Sequence, residues 1–124
     1  MSRKFFLNLR ERPFEAIKNG TKKVEIRANK NKYTRNSANL MKPGDIIVFT
    51  KENSKEKLEC TIERITLYKT LRELLIKEGT EQTLSSTNDI EEGIKSIESI
   101  DNYKEYIKKN GVFAIKLKNV KFIN

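Results

Sequence analysis

The sequence predicts a small α+β fold: a partly closed β-barrel of about five to six strands flanked by short helices. Three observations lead there. Apolar and polar residues alternate in four separated stretches, the period of a half-buried strand, and a fifth short run is continuously apolar. Between them lie short segments of helical period, with capping residues at their starts or glycines just past their ends. One long strand changes phase midway, the mark of a bulge or corner that curls a sheet. The 124 residues suit one domain over 1–124, because a chain of this length hides roughly 65% of its unfolded surface and so builds one core. No repeat or linker interrupts it.

Residues 3–9 place Phe5, Leu7 and Leu9 on one side of a strand and Lys4, Phe6 and Asn8 on the other. A two-turn helix follows, with Pro13 at its first position, Phe14, Ala16 and Ile17 on its apolar face, and Asn19-Gly20 as its stop. Residues 22–28 alternate again, Val24, Ile26 and Ala28 against Lys23, Glu25 and Arg27. Residues 29–44 are polar, Asn-rich and aperiodic, and they end in Pro43-Gly44. A loop of that length in a small domain implies a task or mobility. Residues 45–50 form a short buried strand, and 51–57 a charged hairpin connection. Leu58, Cys60 and Ile62 then share one face before the pattern slips by one to Ile65 and Leu67, which predicts a bulge. Thr70 and Glu73 bracket a capping box for a helix over 71–78, stopped by Gly79. Residues 80–87 read as a polar connector. Ile90, Ile94 and Ile97 mark an amphipathic helix, Asp101 caps a third that carries Tyr103, Tyr106 and Ile107, and a last strand runs from Val112 to about Leu117.

Composition restricts the chemistry. There are 26 Lys and Arg against 17 Asp and Glu, a formal charge of +9, with no His and one Cys. Absence of histidine excludes Ser-His-Asp and Cys-His catalysis and His-ligated metals. A single Cys60 excludes an intrachain disulfide and multi-cysteine metal sites, and its parity with Leu58 and Ile62 makes it core. No metal or cofactor is expected. Residues 1–50 hold twelve of the basic residues and four of the acidic ones, leaving fourteen and thirteen for the rest. That asymmetry predicts a basic face in the first part of the chain and an anionic partner: nucleic acid, a nucleotide or an anionic membrane. No apolar run is long enough to span a membrane, no obligate protein partner is evident, and a cytoplasmic location is the default.

The chemistry concentrates in Gly20-Thr21-Lys22-Lys23-Val24-Glu25-Ile26-Arg27. Gly20 permits a left-handed turn between helix and strand. Lys22 stands at the strand's mouth, and Glu25 and Arg27, two apart, project from one face. A lysine, a carboxylate and a forked guanidinium converging at a turn can grip an anionic or planar polar ligand. By spacing alone the same residues also suit the solvated face of an ordinary strand. Arg10, Arg12, Lys23, Lys30, Lys32 and Arg35 form the expected nucleic-acid face around them. Tyr33, among loop cations, and Tyr68, before a helix, are candidates to stack on a base or line the cleft. Gly20-Thr21-Lys22 is not a phosphate loop, since no glycine stands five residues earlier.

The segment resembles the Gly-x-Lys-x-x-Glu-x-Arg signature of ASCH domains, members of the PUA-like superfamily. The likeness extends over essentially the whole chain, through Phe14 to Gly20 before the motif, Lys42 to Phe49 after it, the 71–78 helix, and Gly111-Val112-Phe113-Ala114-Ile115. The resemblance implies a PUA-like barrel with a cleft beside the motif, binding RNA or a nucleobase through Lys22, Glu25 and Arg27. Some similar members are amidohydrolases acting on N4-acetylcytidine, and others are described as ribonucleases. The amidohydrolases carry Thr where this chain has Glu25, and use a further Glu, for which Glu78 is the nearest counterpart. If this protein is an enzyme, the resemblance makes it a metal-independent amidohydrolase or ribonuclease using Lys22, Glu25 and Glu78.

Overall fold

Among the described residues five strands and five α-helices follow one another, with four of the helices in succession before the last strand. The structure, a computed structural model, describes residues 2–123. The ends of the expected 1–124 domain, Met1 and Asn124, lie outside the described residues. In order come β1 (Lys4–Leu9), α1 (Glu11–Lys18), β2 (Val24–Ala28), β3 (Ile46–Lys51) and β4 (Lys57–Tyr68). Then follow α2 (Leu71–Glu78), α3 (Thr80–Thr83), α4 (Ile90–Glu98), α5 (Tyr103–Asn110) and β5 (Val112–Ile123). Helix α1 begins two residues earlier than expected, so Pro13 sits third in its first turn, where its missing N–H still costs nothing. Thr70 caps α2 by accepting a bond from the Glu73 N–H at 3.1 Å. The 80–87 segment contains the one-turn α3, too short to show a period. The residue before α5 is Asn102, in a left-handed conformation, and not the expected Asp101.

The strands form one sheet in the order β1-β3-β4-β5-β2, curled into a half-barrel. Strands β1 and β3 run parallel; the other pairs are antiparallel. Two register shifts bend the long β4–β5 pair, one between Glu59 and Thr61 and one between Ile62 and Arg64. The second is the phase slip legible in the sequence. It inserts Glu63 as an extra residue, so Ile62 and Ile65 both face the concave side while Arg64 turns outward. Strand β5 also runs six residues past Leu117, because its second half pairs with the start of β4.

The concave side holds the main core, with Phe5, Phe14, Ile47, Phe49, Leu58 and Ile62 almost wholly buried. Each such side chain contributes about 1.5–3 kcal/mol relative to exposure. On the convex side Val24, Ile26 and Ala28 of β2 pack with Leu71, Leu74 and Leu75 of α2 and with Tyr103 and Ile107 of α5. Strand β2 is therefore covered on both faces, a fact its alternation could not show. No helix among the described residues is long and apolar enough to cross a membrane.

Candidate nucleic-acid interface

Curling leaves β1 and β2 as the two edges of the sheet, and the motif lies at the opening between them. Gly20 ends α1 at φ +88° with open space around its α-carbon. Its turn is held by the Asn19 side chain, which accepts bonds from the Thr21 N–H and hydroxyl at 3.0 and 2.8 Å. The next side chain, Lys22, turns inward and is only 5% exposed. Its Nζ donates to the Val24 carbonyl at 2.7 Å and to the Thr83 carbonyl of α3 at 2.6 Å, and lies 3.5 Å from Glu25 Oε1. Three acceptors match the three protons of an ammonium.

Glu25 joins the concave face, opposite Ile115 of β5, and is also 5% exposed. Its second oxygen accepts from Arg27 Nε at 2.8 Å. Arg27 Nη2 reaches across the opening to donate to the Asn8 carbonyl of β1 at 3.1 Å. One side chain thus bridges the two edge strands. Burial alone pushes the Glu25 carboxyl up, but Arg27 and Lys22 outweigh it and hold it below its ordinary range. Burial lowers the Lys22 amine, an effect that Glu25 offsets only in part. The triad carries one net positive charge, presented outward through the quarter-exposed Arg27.

Beside Arg27 opens a cavity of about 290 Å3. Cations Lys30 and Lys32 line it with Arg27, hydroxyls and amides come from Thr34, Asn36, Ser37 and Asn39, and the apolar surface includes Leu7, Met41 and Tyr103. No carboxylate among the described residues contributes. The wall is the Asn-rich loop, which proves ordered by its own amides. Asn29 Oδ1 accepts from the Asn31 N–H at 2.8 Å and from Asn39 Nδ2 at 3.0 Å. Asn29 and Asn110 each donate a side-chain N–H to the other's backbone carbonyl at 3.0 Å. Asn36 Oδ1 accepts from the Phe6 N–H at 2.9 Å, satisfying a donor on the free edge of β1. Asn side chains replace the missing ladder, which is how an aperiodic segment holds one shape.

The structure brings only some of the expected residues together. Arg27, Lys30 and Lys32 line the cavity, with Lys22 and Glu25 buried behind Arg27. Lys30 Nζ also lies 5.9 Å from the Tyr103 ring and 5.8 Å from that of Tyr106. Tyr33 stands 67% exposed on the loop and does not line the cavity. Arg10, Arg12, Lys23 and Arg35 are exposed outside it. Tyr68 and Glu78 belong to a different cluster, on the convex side under α2. Glu78 takes both nitrogens of the Arg64 fork at 2.8 Å and the Tyr68 hydroxyl at 2.6 Å. The Arg64 guanidinium, aided by Tyr68, holds the Glu78 carboxyl below its usual range. Glu78 and Glu25 therefore serve opposite faces of the sheet, because the bulge turns Arg64 outward. Cys60 is fully buried, and burial with help from Glu25 and Glu59 pushes its thiol up to about 12. Sequence reasoning missed Tyr103, Asn36 and Asn39 as lining residues; the density of asparagine in the loop was the signal available.

Comparison with known proteins gives this geometry a setting. A search of curated proteins returns no match. Among solved structures, the hypothetical protein PH0355 is 37% identical, with a TM-score of 0.75 over 97% of this chain and 99% of that one. PF0455 from Pyrococcus furiosus is 33% identical, with a TM-score of 0.65 over 93% of this chain and 96% of that one. A mutant of ZmASCH from Zymomonas mobilis shares the fold at 18% identity, with a TM-score of 0.61 over 98% of this chain and 72% of that one. The family profile of the ASCH domain matches residues 7–121, and the chain belongs to the ASCH domain family.

Proposed function

We propose that this ASCH domain binds single-stranded RNA by seating one nucleotide in the cavity between β1 and β2. The observation that carries the reading is the lining: three cations, four hydroxyl or amide groups, an aromatic wall and no carboxylate. Arg27, Lys30 and Lys32 suit a phosphate, the amides suit base edges and ribose hydroxyls, and Leu7, Met41 and Tyr103 suit a base. The volume lies near the lower bound of small-ligand pockets, about 300 Å3, which fits one nucleotide and not two. Lys22 and Glu25 act as positioning residues: their mutual contacts fix the orientation of Arg27. Their protons and lone pairs are spent on each other and on backbone carbonyls. Binding, and not hydrolysis by these groups, is what the arrangement supports.

Titration calorimetry with nucleoside monophosphates tests the reading. The expected result is saturable binding that Lys30→Ala/Lys32→Ala weakens about tenfold or more, with an unchanged circular dichroism spectrum. Binding indifferent to that double substitution would sink it. Incubation with N4-acetylcytidine or with single-stranded RNA should yield no product over hours; turnover of either would replace the binding reading with a catalytic one.

A further inference from the structure

The uncovered half of the convex sheet face carries a second cluster of charge. Helices α2 and α5 pack over β2 and its neighbours, while the outward side chains of β1, β3 and the facing stretches of β4 and β5 are exposed or half-buried, apart from Val48, which is buried. Cross-strand register defines them in rows: Lys4, Ile46, Thr61 and Lys118; then Phe6, Val48, Glu59 and Lys121; then Asn8, Thr50 and Lys57. Lys116 continues the same face along β5, beside the outward Arg64. Without the two register shifts, the strand's period of two would turn some of these cations inward. The shift opposite Glu59 and Thr61 is what keeps Lys121 beside Lys118. Two strand residues span about 6.7 Å, the order of one phosphate-to-phosphate step in an extended nucleic-acid strand. Lys118 and Lys121 join no ion pair among the described residues, whereas the acids of this face are engaged, Glu59 with Lys4 and Glu63 with Lys116.

Phe6 supplies the second element. It is 48% exposed on the edge strand β1, two residues from Lys4 and in the register row that ends at Lys121, and an exposed aromatic ring is a stacking platform for an unpaired base. It is also next to the cavity. Leu7 lines the cavity from the concave side, Phe6 points to the convex side, and Asn36 both lines the cavity and accepts the Phe6 N–H. A strand leaving the cavity over the edge of β1 meets Phe6 at once and the β5 lysines beyond it.

We infer that single-stranded RNA continues from the cavity across β1, stacks a base on Phe6, and runs its phosphates toward Lys118 and Lys121 on the convex sheet face. The inference rests on the nucleotide reading of the cavity. Charge complementarity and continuity with that cavity select RNA over an acidic protein or an anionic membrane, neither of which needs an aromatic at the cavity's rim.

Fluorescence anisotropy tests it on the full chain with two probes, uridine monophosphate by competition and an oligouridylate of about eight nucleotides. The oligonucleotide should bind about tenfold or more tightly than the monophosphate. Phe6→Ala, and separately Lys118→Ala/Lys121→Ala, should each weaken the oligonucleotide about fivefold or more and leave the monophosphate unchanged. All three positions are exposed, so circular dichroism should show the fold retained. Monophosphate binding with an oligonucleotide insensitive to both variants overturns the outer face alone. Absence of monophosphate binding overturns the cavity reading and the path from it. Binding to phosphatidylserine vesicles that competes with the oligonucleotide and equals it in strength overturns the choice of RNA.

Discussion

Glu25 is the residue on which the opening between the edge strands depends. It stands between two cations in a space water does not reach, and its removal would leave Lys22 and Arg27 facing each other uncompensated. Glu25→Gln should therefore destabilise the fold by about 3–5 kcal/mol in denaturant unfolding, whereas the exposed Lys23→Ala should move it by under about 0.5 kcal/mol. The pH dependence follows from the same geometry. Ionised Glu25 is favoured in the folded state, below its ordinary 4.5. Its stabilisation is present above that value and lost as pH falls through it toward the lower folded value. Lys22 contributes at the other end. Its folded value lies below 10.5, so the unfolded chain holds more protons between the two and stability rises as pH approaches 10.5. Melting temperature between pH 6 and 3 should fall less steeply for Glu25→Gln than for the parent chain; parallel curves would remove Glu25 from the account. Asp45 and Glu78, also depressed, remain in both proteins and cancel. The motif itself was legible, since Gly20, Lys22, Glu25 and Arg27 stand at telling intervals. Their burial was not, because alternation reports which side a residue faces and says nothing about what covers that side.

At the scale of elements, the bulge after Ile62 was readable because a strand's period of two makes a single inserted residue visible as a phase change. The shift between Glu59 and Thr61, whose extra residue lies between Lys118 and Lys121 of β5, was hidden, as the surrounding residues are polar or exposed on either register. Helix α3 was hidden for another reason: four residues hold barely one turn, and its last carbonyl is held by the Lys22 ammonium, a contact from far along the chain. The loop of 29–44 looked unstructured since side-chain amide bonds leave no periodic trace. Gly111 joins α5 to β5 at φ +89°, and a β-carbon there would lie 2.6 Å from the Tyr68 carbonyl oxygen. Gly20 shares the positive φ but faces open space. Gly111→Ala should thus cost about 1–3 kcal/mol and Gly20→Ala about 1 kcal/mol, compared by thermal unfolding. Equal costs would show that the contact with Tyr68 relaxes.

For the molecule as a whole, counting charge along the chain located only part of the positive surface. Residues 51–124 are nearly neutral by count, yet the curled sheet gathers Lys57, Arg64, Lys116, Lys118 and Lys121 on its convex side; Arg64 and Lys116 pair there with Glu78 and Glu63, Glu56 and Glu91 pair elsewhere, and Lys118 and Lys121 join no ion pair among the described residues. Nearest-neighbour position in a folded sheet, not position in sequence, decides the field a ligand meets. Affinity for single-stranded RNA should fall with salt at a slope of about −0.7 per phosphate contact, and Lys118→Ala/Lys121→Ala should reduce the slope by about 1.4. An unchanged slope would place the phosphates elsewhere.

The pairing of β2 with β5 also sets when this site can exist. Residues 24–28 find their hydrogen-bonding partners only at 112–116, and β1 waits for β3, so the sheet is assembled from contacts distant along the chain. Such topologies fold in milliseconds to seconds, not microseconds. During synthesis Lys22, Glu25 and Arg27 are made early, but the strand that β2 pairs with is the last to be made. Nascent chains halted before Val112 should accordingly fail to retain RNA in a filter-binding assay, although they already contain every residue of the cavity.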